Sequence, residues 1–486
     1  MGYSQNFQEL EVTIDSLITN DIVPSLAVGI VKDGEIIYEK AFGYADRERK
    51  IESTINTPYQ LASLSKPITA TAILKLHKEG IINIDDAITK YVSLKKVNSA
   101  FQEPTIRQVL NHTAGLGTYF DIYYQDESSK VVSFEEAWDR YGIQFHEPGK
   151  VNEYSNIGYG LLSHIISKAT FKTFAQYLQS NMFNELNMND SFVIERADQK
   201  QGLLAKKYDH RLKALPFVLN NTPGAGNVAS SIHDMMQFAL LHLKEPNKKF
   251  LGASDIHKMQ TYKEKNALFH YYQDTYYGLG WYIMEEDNGQ KVVWHEGGMM
   301  GASTMLKFYP KEKIAIALLT NTHNPNTCRA LADKISSFMI EGYRPTPINE
   351  VAEYKGISSD ATFIGKWKGV MHMENEKVPI SLVMENETTQ ISFVDHTYAS
   401  FLTNYQPLPV NSKLLFGAIN QDYFIGTGVG DLPTSDKRKS HKHLLSLKLF
   451  KHGTTLTGTI VNLAAAEREY YARPYYIQLE KTIPNK

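Results

Sequence analysis

Tyr59-Gln60-Leu61-Ala62-Ser63-Leu64-Ser65-Lys66-Pro67-Ile68-Thr69-Ala70 opens an apolar run that ends near Gly80. Proline sits comfortably in a helix only in the first turn, where its missing N–H has no partner to lose. Pro67 therefore starts a helix that runs to the glycine stop and places Ser63 at its entrance. Residues three apart share a helix face, so Ser63 and Lys66 point the same way. A serine hydroxyl is a weak nucleophile and needs a base, and a lysine stripped of water can lose its proton and serve. The helix N-terminus adds positive dipole and free amides suited to an oxyanion. The pattern is short, however, and Ser93-Leu-Lys-Lys96 fits it too, with nothing around it that suggests a site.

Two further stretches carry related chemistry. Of the 29 tyrosines, only Tyr154 has an asparagine two positions on, in Pro148-Gly-Lys-Val-Asn-Glu-Tyr154-Ser155-Asn156. A phenol near Ser63 and Lys66 could shuttle a proton to a leaving group. The Asn156 amide could hold a substrate carbonyl or orient the lysine. Farther on, Trp294-His295-Glu296-Gly297-Gly298-Met-Met-Gly301 follows a strand. Its glycines would let a ligand backbone lie along the strand edge, with the amide near Gly298 completing an oxyanion hole. Singly, each has an ordinary structural reading: a helix-capping tyrosine, a bulge or a turn.

Taken together and in this order, the three stretches resemble the serine β-lactamase-like superfamily of class C β-lactamases, penicillin-binding DD-peptidases, D-aminopeptidases and esterases. The likeness spans roughly residues 7 to 340. It extends to Thr105-Ile-Arg-Gln-Val-Leu-Asn-His-Thr-Ala-Gly-Leu116, Gly224-Ala-Gly-Asn-Val-Ala-Ser-Ser-Ile-His-Asp234 and Tyr277-Gly-Leu-Gly-Trp281. It implies Ser63 as acylated nucleophile and Lys66 and Tyr154 as the acid/base pair. It also implies Asn156, His295, Gly297 and Gly298 as substrate contacts. Many β-lactamases of this kind carry Lys-Thr-Gly where His295-Glu296-Gly297 stands. The permanent cation that grips a carboxylate is missing, and Glu296 adds negative charge beside the expected pocket.

The expected reaction is acyl transfer through Ser63, as a peptidase on small or D-residue-containing peptides. Carboxylesterase, weak β-lactamase or penicillin-binding activity is the alternative, and a silent binding or scaffold protein on the same fold is the rival of another class. Whether Lys66 or Tyr154 is the base stays open.

Periodicity sets the architecture. Phe7, Leu10, Ile14, Leu17 and Ile18 recur at helical spacing. Ser25–Lys32 and Glu35–Lys40 read as strands joined by the two-residue turn Asp33-Gly34. Lys291–Trp294 and Lys313–Thr320 read as later strands, and Leu331–Met339 as a helix. The expected fold is an α/β catalytic domain, residues 1–340: an antiparallel sheet flanked by helices, with an inserted, mainly helical region. A Pro-containing linker, 341–362, follows. Residues 363–486 carry eight short alternating runs, beginning at Phe363–Met371 and ending at Glu469–Ile477, which suggest an all-β barrel. Gly365-Lys-Trp367-Lys-Gly369 gives that part a loose likeness to lipocalin-like barrels. Its expected task is to shield the site or join subunits in a homo-oligomer, and a chain ending near Gly342 is expected to fold.

Composition removes other classes. The 486 residues carry a formal net charge of -2, which gives no general attraction to nucleic acid. The basic run Lys437-Arg438-Lys439 reads as a solvated loop. The single cysteine, Cys328, excludes an internal disulfide and reads as a packing residue. No signal peptide, membrane span, zinc motif or phosphate loop is read, so no metal or cofactor is expected. The expected location is cytoplasmic, or exported if a leader precedes this sequence; the expected partner is a small-molecule or peptide substrate.

Overall fold

The computed structural model describes residues 4–125, 131–196, 203–243, 250–262, 275–285, 290–345, 363–373, 377–384, 388–393, 412–420, 423–430, 432, 443–466 and 469–482. Most of the linker and the basic run at 437–439 lie outside these residues. The first sheet has eight strands, all antiparallel. Their order is Thr275–Tyr277, Tyr282–Glu285, Lys291–Met299, Ala302–Tyr309, Ile314–Thr320, Ser25–Lys32, Glu35–Asp46 and Ile51–Glu52. The turn between the N-terminal strands has positive φ at Asp33 (51°) and Gly34 (80°), as a two-residue hairpin turn requires.

Ser25–Lys32 and Ile314–Thr320 are buried almost from end to end because both faces of the sheet are covered. Leu26, Val28, Ile30, Ile316 and Leu318 pack with Leu10, Ile14, Leu331 and Ile335 of the terminal helices Ser4–Thr19 and Pro325–Met339. On the other face Ala27, Val31, Ala317 and Leu319 join the larger core, with Ile68 and Ile73 of helix Ser65–Lys78 and Met236 of helix Ile232–Leu243. The expected α/β layering with an inserted helical middle is present. Among the described residues no helix is long and apolar enough to cross a membrane.

The sheet-rich region after the linker contains the eight runs expected, from Gly365–His372 to Glu469–Lys481, each paired antiparallel with the next. Gly365–His372 also pairs with Glu469–Lys481. The sheet is larger than the eight strands expected. It continues from Glu469–Lys481 into Phe120–Tyr124 and Val218–Asn220, strands of the first 340 residues.

The segment before Ser63 is held tightly. Ala62 adopts φ 49°, a left-handed conformation that costs a non-glycine residue about 1 kcal/mol or more. The Leu61 carbonyl, one residue earlier, accepts from Thr304 Oγ1 at 2.7 Å. A Cβ at Gly297 would lie 2.0 Å from that same carbonyl oxygen and 2.2 Å from Thr304 Oγ1. At Gly298 the nearest atom would be His323 Cε1 at 3.3 Å, the end of a movable side chain. Gly297→Ala is therefore expected to cost about 1–3 kcal/mol, as overpacking against fixed atoms does, and Gly298→Ala much less. Denaturant midpoints compare them, and equal midpoints would contradict the clamp.

Candidate active site

The helix Ser65–Lys78 is preceded by a 3₁₀ turn, Ala62–Leu64, which holds Ser63. Ser63 thus sits at the helix entrance, and Pro67 falls in the first turn. Lys66 Nζ lies 3.0 Å from Ser63 Oγ and donates to the Ala225 carbonyl at 3.1 Å. The lysine is fully buried, and burial holds its amine well below the ordinary lysine value. A neutral amine keeps a lone pair, so the bond to Ser63 can run either way, with the hydroxyl as donor.

The Gly224–Val228 stretch fixes this corner. Gly226 O accepts from Gln60 Nε2, Ala225 O from Lys66 and Gly224 O from Thr69, while Val228 N donates to Ser65 Oγ. Gly224 also allows contact with the helix Asn156–Thr170, since a Cβ there would meet the Tyr159 carbonyl at 2.4 Å.

Tyr154 and Asn156 reach the same place. Ser155 caps the Asn156–Thr170 helix, its Oγ accepting from Gly158 N at 3.2 Å. Lys66 Nζ lies 4.6 Å from the centroid of the Tyr154 ring. Behind that ring sits His112, with centroids 4.4 Å apart. His112 Nδ1 accepts from Ser155 N at 3.1 Å, and burial beside Lys66 and His295 keeps the imidazole neutral by lowering its pKa. His112 thus packs and bonds locally, its ring against those of Tyr154, Tyr159 and Tyr277.

The third stretch divides by strand alternation. Gly298 is exposed and lines the cleft, whereas Gly297 faces inward against Leu61. Tyr282 pairs with Trp294, and strand Tyr282–Glu285 goes no farther along this edge. Residues 295–299 pair with Ala302–Tyr309 on the other edge. His295 is buried, its ring 6.3 Å from that of Tyr154. Its Nδ1 lies 2.7 Å from the Glu296 carbonyl and must carry the proton, so Nε2 accepts from the Tyr277 hydroxyl at 2.8 Å. Burial pushes the imidazole down to about 3. Glu296 points to the opposite face, where Arg329 holds its carboxylate with contacts of 2.9–3.2 Å. The extra negative charge expected beside the pocket is therefore spent on a helix.

These groups surround a cleft of about 220 Å³, lined by Ser63, Tyr154, Asn156, Asn220 and Gly298 with an apolar wall that includes Phe120, Ile122 and Met299. Among the described residues, none that lines the cleft carries a cationic side chain. Asn220 Oδ1 accepts from Thr222 N and Oγ1, which orients its amide. Phe120, Ile122 and Asn220 had no signal in the sequence, because they reach the cleft only through the second sheet. The decoy Ser93 is exposed and Lys96 donates to the Phe101 carbonyl, away from this site. Cys328 is buried, its thiol pushed up to about 12 by burial and by nearby Glu296. Among the described residues no cluster of His, Cys, Asp and Glu could hold a metal ion.

Comparison with known proteins adds to this geometry. Protein flp of Staphylococcus aureus (strain NCTC 8325 / PS 47) is 29% identical over 326 residues, 64% of this chain. The match spans 63% of that relative's own length. The octameric penicillin-binding protein homologue from Pyrococcus abyssi superposes with a TM-score of 0.59 at 20% identity, covering 96% of this chain and all of its own. SurE, solved with D-Leu, gives 0.63 at 16% identity, covering 98% and 100%. A family model described as Beta-lactamase matches residues 12–335, well over half of the sequence, and the chain belongs to that family.

Proposed function

We propose that this protein is a serine hydrolase that works through an acyl-enzyme on Ser63, acting as a peptidase on small substrates without a carboxylate beside the scissile bond. The observation that carries the reading is the contact of Ser63 Oγ with a fully buried Lys66 Nζ, 3.0 Å apart at the head of the cleft. Ser63 attacks the substrate carbonyl and its proton passes to the neutral Lys66 amine. The amides of Ser63 and Gly298 receive the oxyanion. Collapse expels the leaving group, which takes its proton through Tyr154. Water then attacks the ester on Ser63 and regenerates the hydroxyl.

The uncharged lining supports neutral substrates. Among the described residues lining the cleft, a carboxylate would lose water without gaining a cation, which disfavours β-lactams and free C-terminal residues. The same lining accepts a carboxylic ester, so an esterase is the second reading. SurE, of the same fold, was solved with D-Leu, which keeps D-residues in the test set. D- and L-aminoacyl p-nitroanilides beside p-nitrophenyl esters separate the two activities. Faster turnover of every ester than of every anilide would favour the esterase.

Ser63→Ala should abolish covalent labelling by a fluorophosphonate while melting as the parent does, and Ser93→Ala should label normally. Retained labelling in Ser63→Ala would remove the nucleophile assignment. Lys66→Ala and Tyr154→Phe should each slow turnover by roughly two to four powers of ten. As members of one relay they should combine to less than the product of their effects. A general base works unprotonated, so kcat/KM should rise with pH through the lowered Lys66 value. The limb should lie well below the ordinary lysine range. A limb inflecting near an unperturbed lysine, about 10.4, would contradict Lys66 as base.

A further inference from the structure

Two buried ion pairs join the C-terminal sheet to the cleft. Lys448 Nζ lies 3.2 Å from Glu153 Oε1, and Arg473 Nη2 lies 3.0 Å from Asp121 Oδ2. All four side chains are less than a tenth exposed. Glu153 directly precedes Tyr154, and Asp121 stands between Phe120 and Ile122 of the cleft wall. The strand ladder adds Tyr471 opposite Asp121 and Ala472 opposite Phe120.

Residues 152–155 belong to no helix or strand, so beyond the backbone bond from Glu153 N to the His112 carbonyl at 2.8 Å, side-chain bonds help decide where Tyr154 stands. The Glu153 carboxylate gathers several of them. Thr118 N donates to it at 3.3 Å and His146 Nε2 lies at 3.2 Å. The Thr118 hydroxyl is within range of both Glu153 Oε1, at 3.3 Å, and the Tyr154 carbonyl, at 3.1 Å. Burial alone would raise the Glu153 carboxyl, but Lys448 and His146 hold it well below the usual carboxylate range. A buried carboxylate without its cation is unstable in place and would protonate or turn toward water, taking its neighbours with it.

We infer that Lys448 is a positioning residue of the active site: through Glu153 it fixes Tyr154 from the C-terminal sheet, while Arg473 fixes the Phe120–Ile122 wall through Asp121. The inference rests on the reading of Ser63 and Tyr154 given above. It makes the region after residue 363 part of the catalytic apparatus.

The experiment uses full-length variants and a p-nitrophenyl ester, with fluorophosphonate labelling of Ser63 as a separate readout. Lys448→Met should lower kcat about 10- to 100-fold, the scale of a catalytic group displaced by about an ångström, with KM changed less than about 3-fold. Lys448→Arg, which keeps the cation, should recover most of the loss. In a Tyr154→Phe background Lys448→Met should add less than about 3-fold, because the group it positions is gone. Lys448→Met with Glu153→Gln carries neither buried charge and should fold, melting cooperatively, yet stay slow. Wild-type kcat in either folded Lys448→Met protein overturns the inference, as does a full effect in the Tyr154→Phe background. A pair-free variant that does not fold makes the pair structural and overturns it too. Absence of Ser63 labelling in the wild type would instead defeat the catalytic reading itself, whereas labelling in the wild type at a rate unchanged in Lys448→Met defeats only the positioning role.

Discussion

A lysine with no exposed surface, held 3.0 Å from a serine hydroxyl, is the constraint around which this structure is arranged. Burying an ammonium without a carboxylate partner is costly, and the group responds by giving up its proton. The hydrogen bonds of Lys66 go to a hydroxyl and a carbonyl, neither of which carries charge. The Tyr154 ring, 4.6 Å from Nζ, gives the cation some help, yet less than lost hydration removes. The surroundings follow from this. His112 and His295 are both kept neutral chiefly by their burial, so no second cation competes for the centre.

The close contacts around Ser63 serve the same end. Ala62 is held in a left-handed conformation, Leu61 is clamped by Thr304, and Gly297 leaves room for the Leu61 carbonyl. Such strain persists only where the surroundings over-determine it. The three family stretches therefore form one packed unit, in which the strand carrying Gly297 presses the turn that presents Ser63. The second sheet completes the enclosure from the other side. Gly117 makes room for Phe145 and Pro474, and Phe145 stacks on Tyr476 with centroids 6.3 Å apart.

Much of this was legible in the sequence because the signals are local. Pro67 marks a first helical turn, Asp33-Gly34 a hairpin, and alternating residues the strands from Gly365 onward. Ser63, Lys66, Tyr154, Asn156 and Gly298 could be named because each belongs to a short phrase, and the fold brings them to one cleft. Strand alternation was the information missing at the third phrase. It puts His295 on one face, bonded to Tyr277 beside the Tyr154 ring, and Glu296 on the other, bonded to Arg329. Long-range pairing was illegible for a different reason. Nothing local in Phe120–Tyr124 says that it will join a strand about 350 residues away, or that Lys448 will neutralise Glu153. A chain ending near Gly342 would leave Glu153 without Lys448 and Asp121 without Arg473.

The account's central claim is a covalent bond between substrate and Ser63. Its most direct test is acid-quench mass spectrometry of the wild-type protein during turnover of its best ester or anilide, followed by peptide mapping. A mass increase equal to the acyl group, confined to the peptide containing Ser63 and decaying as substrate is exhausted, is the predicted result. An acyl group mapped to any other side chain, or turnover with no adduct even when deacylation is slowed at low temperature, would contradict the account.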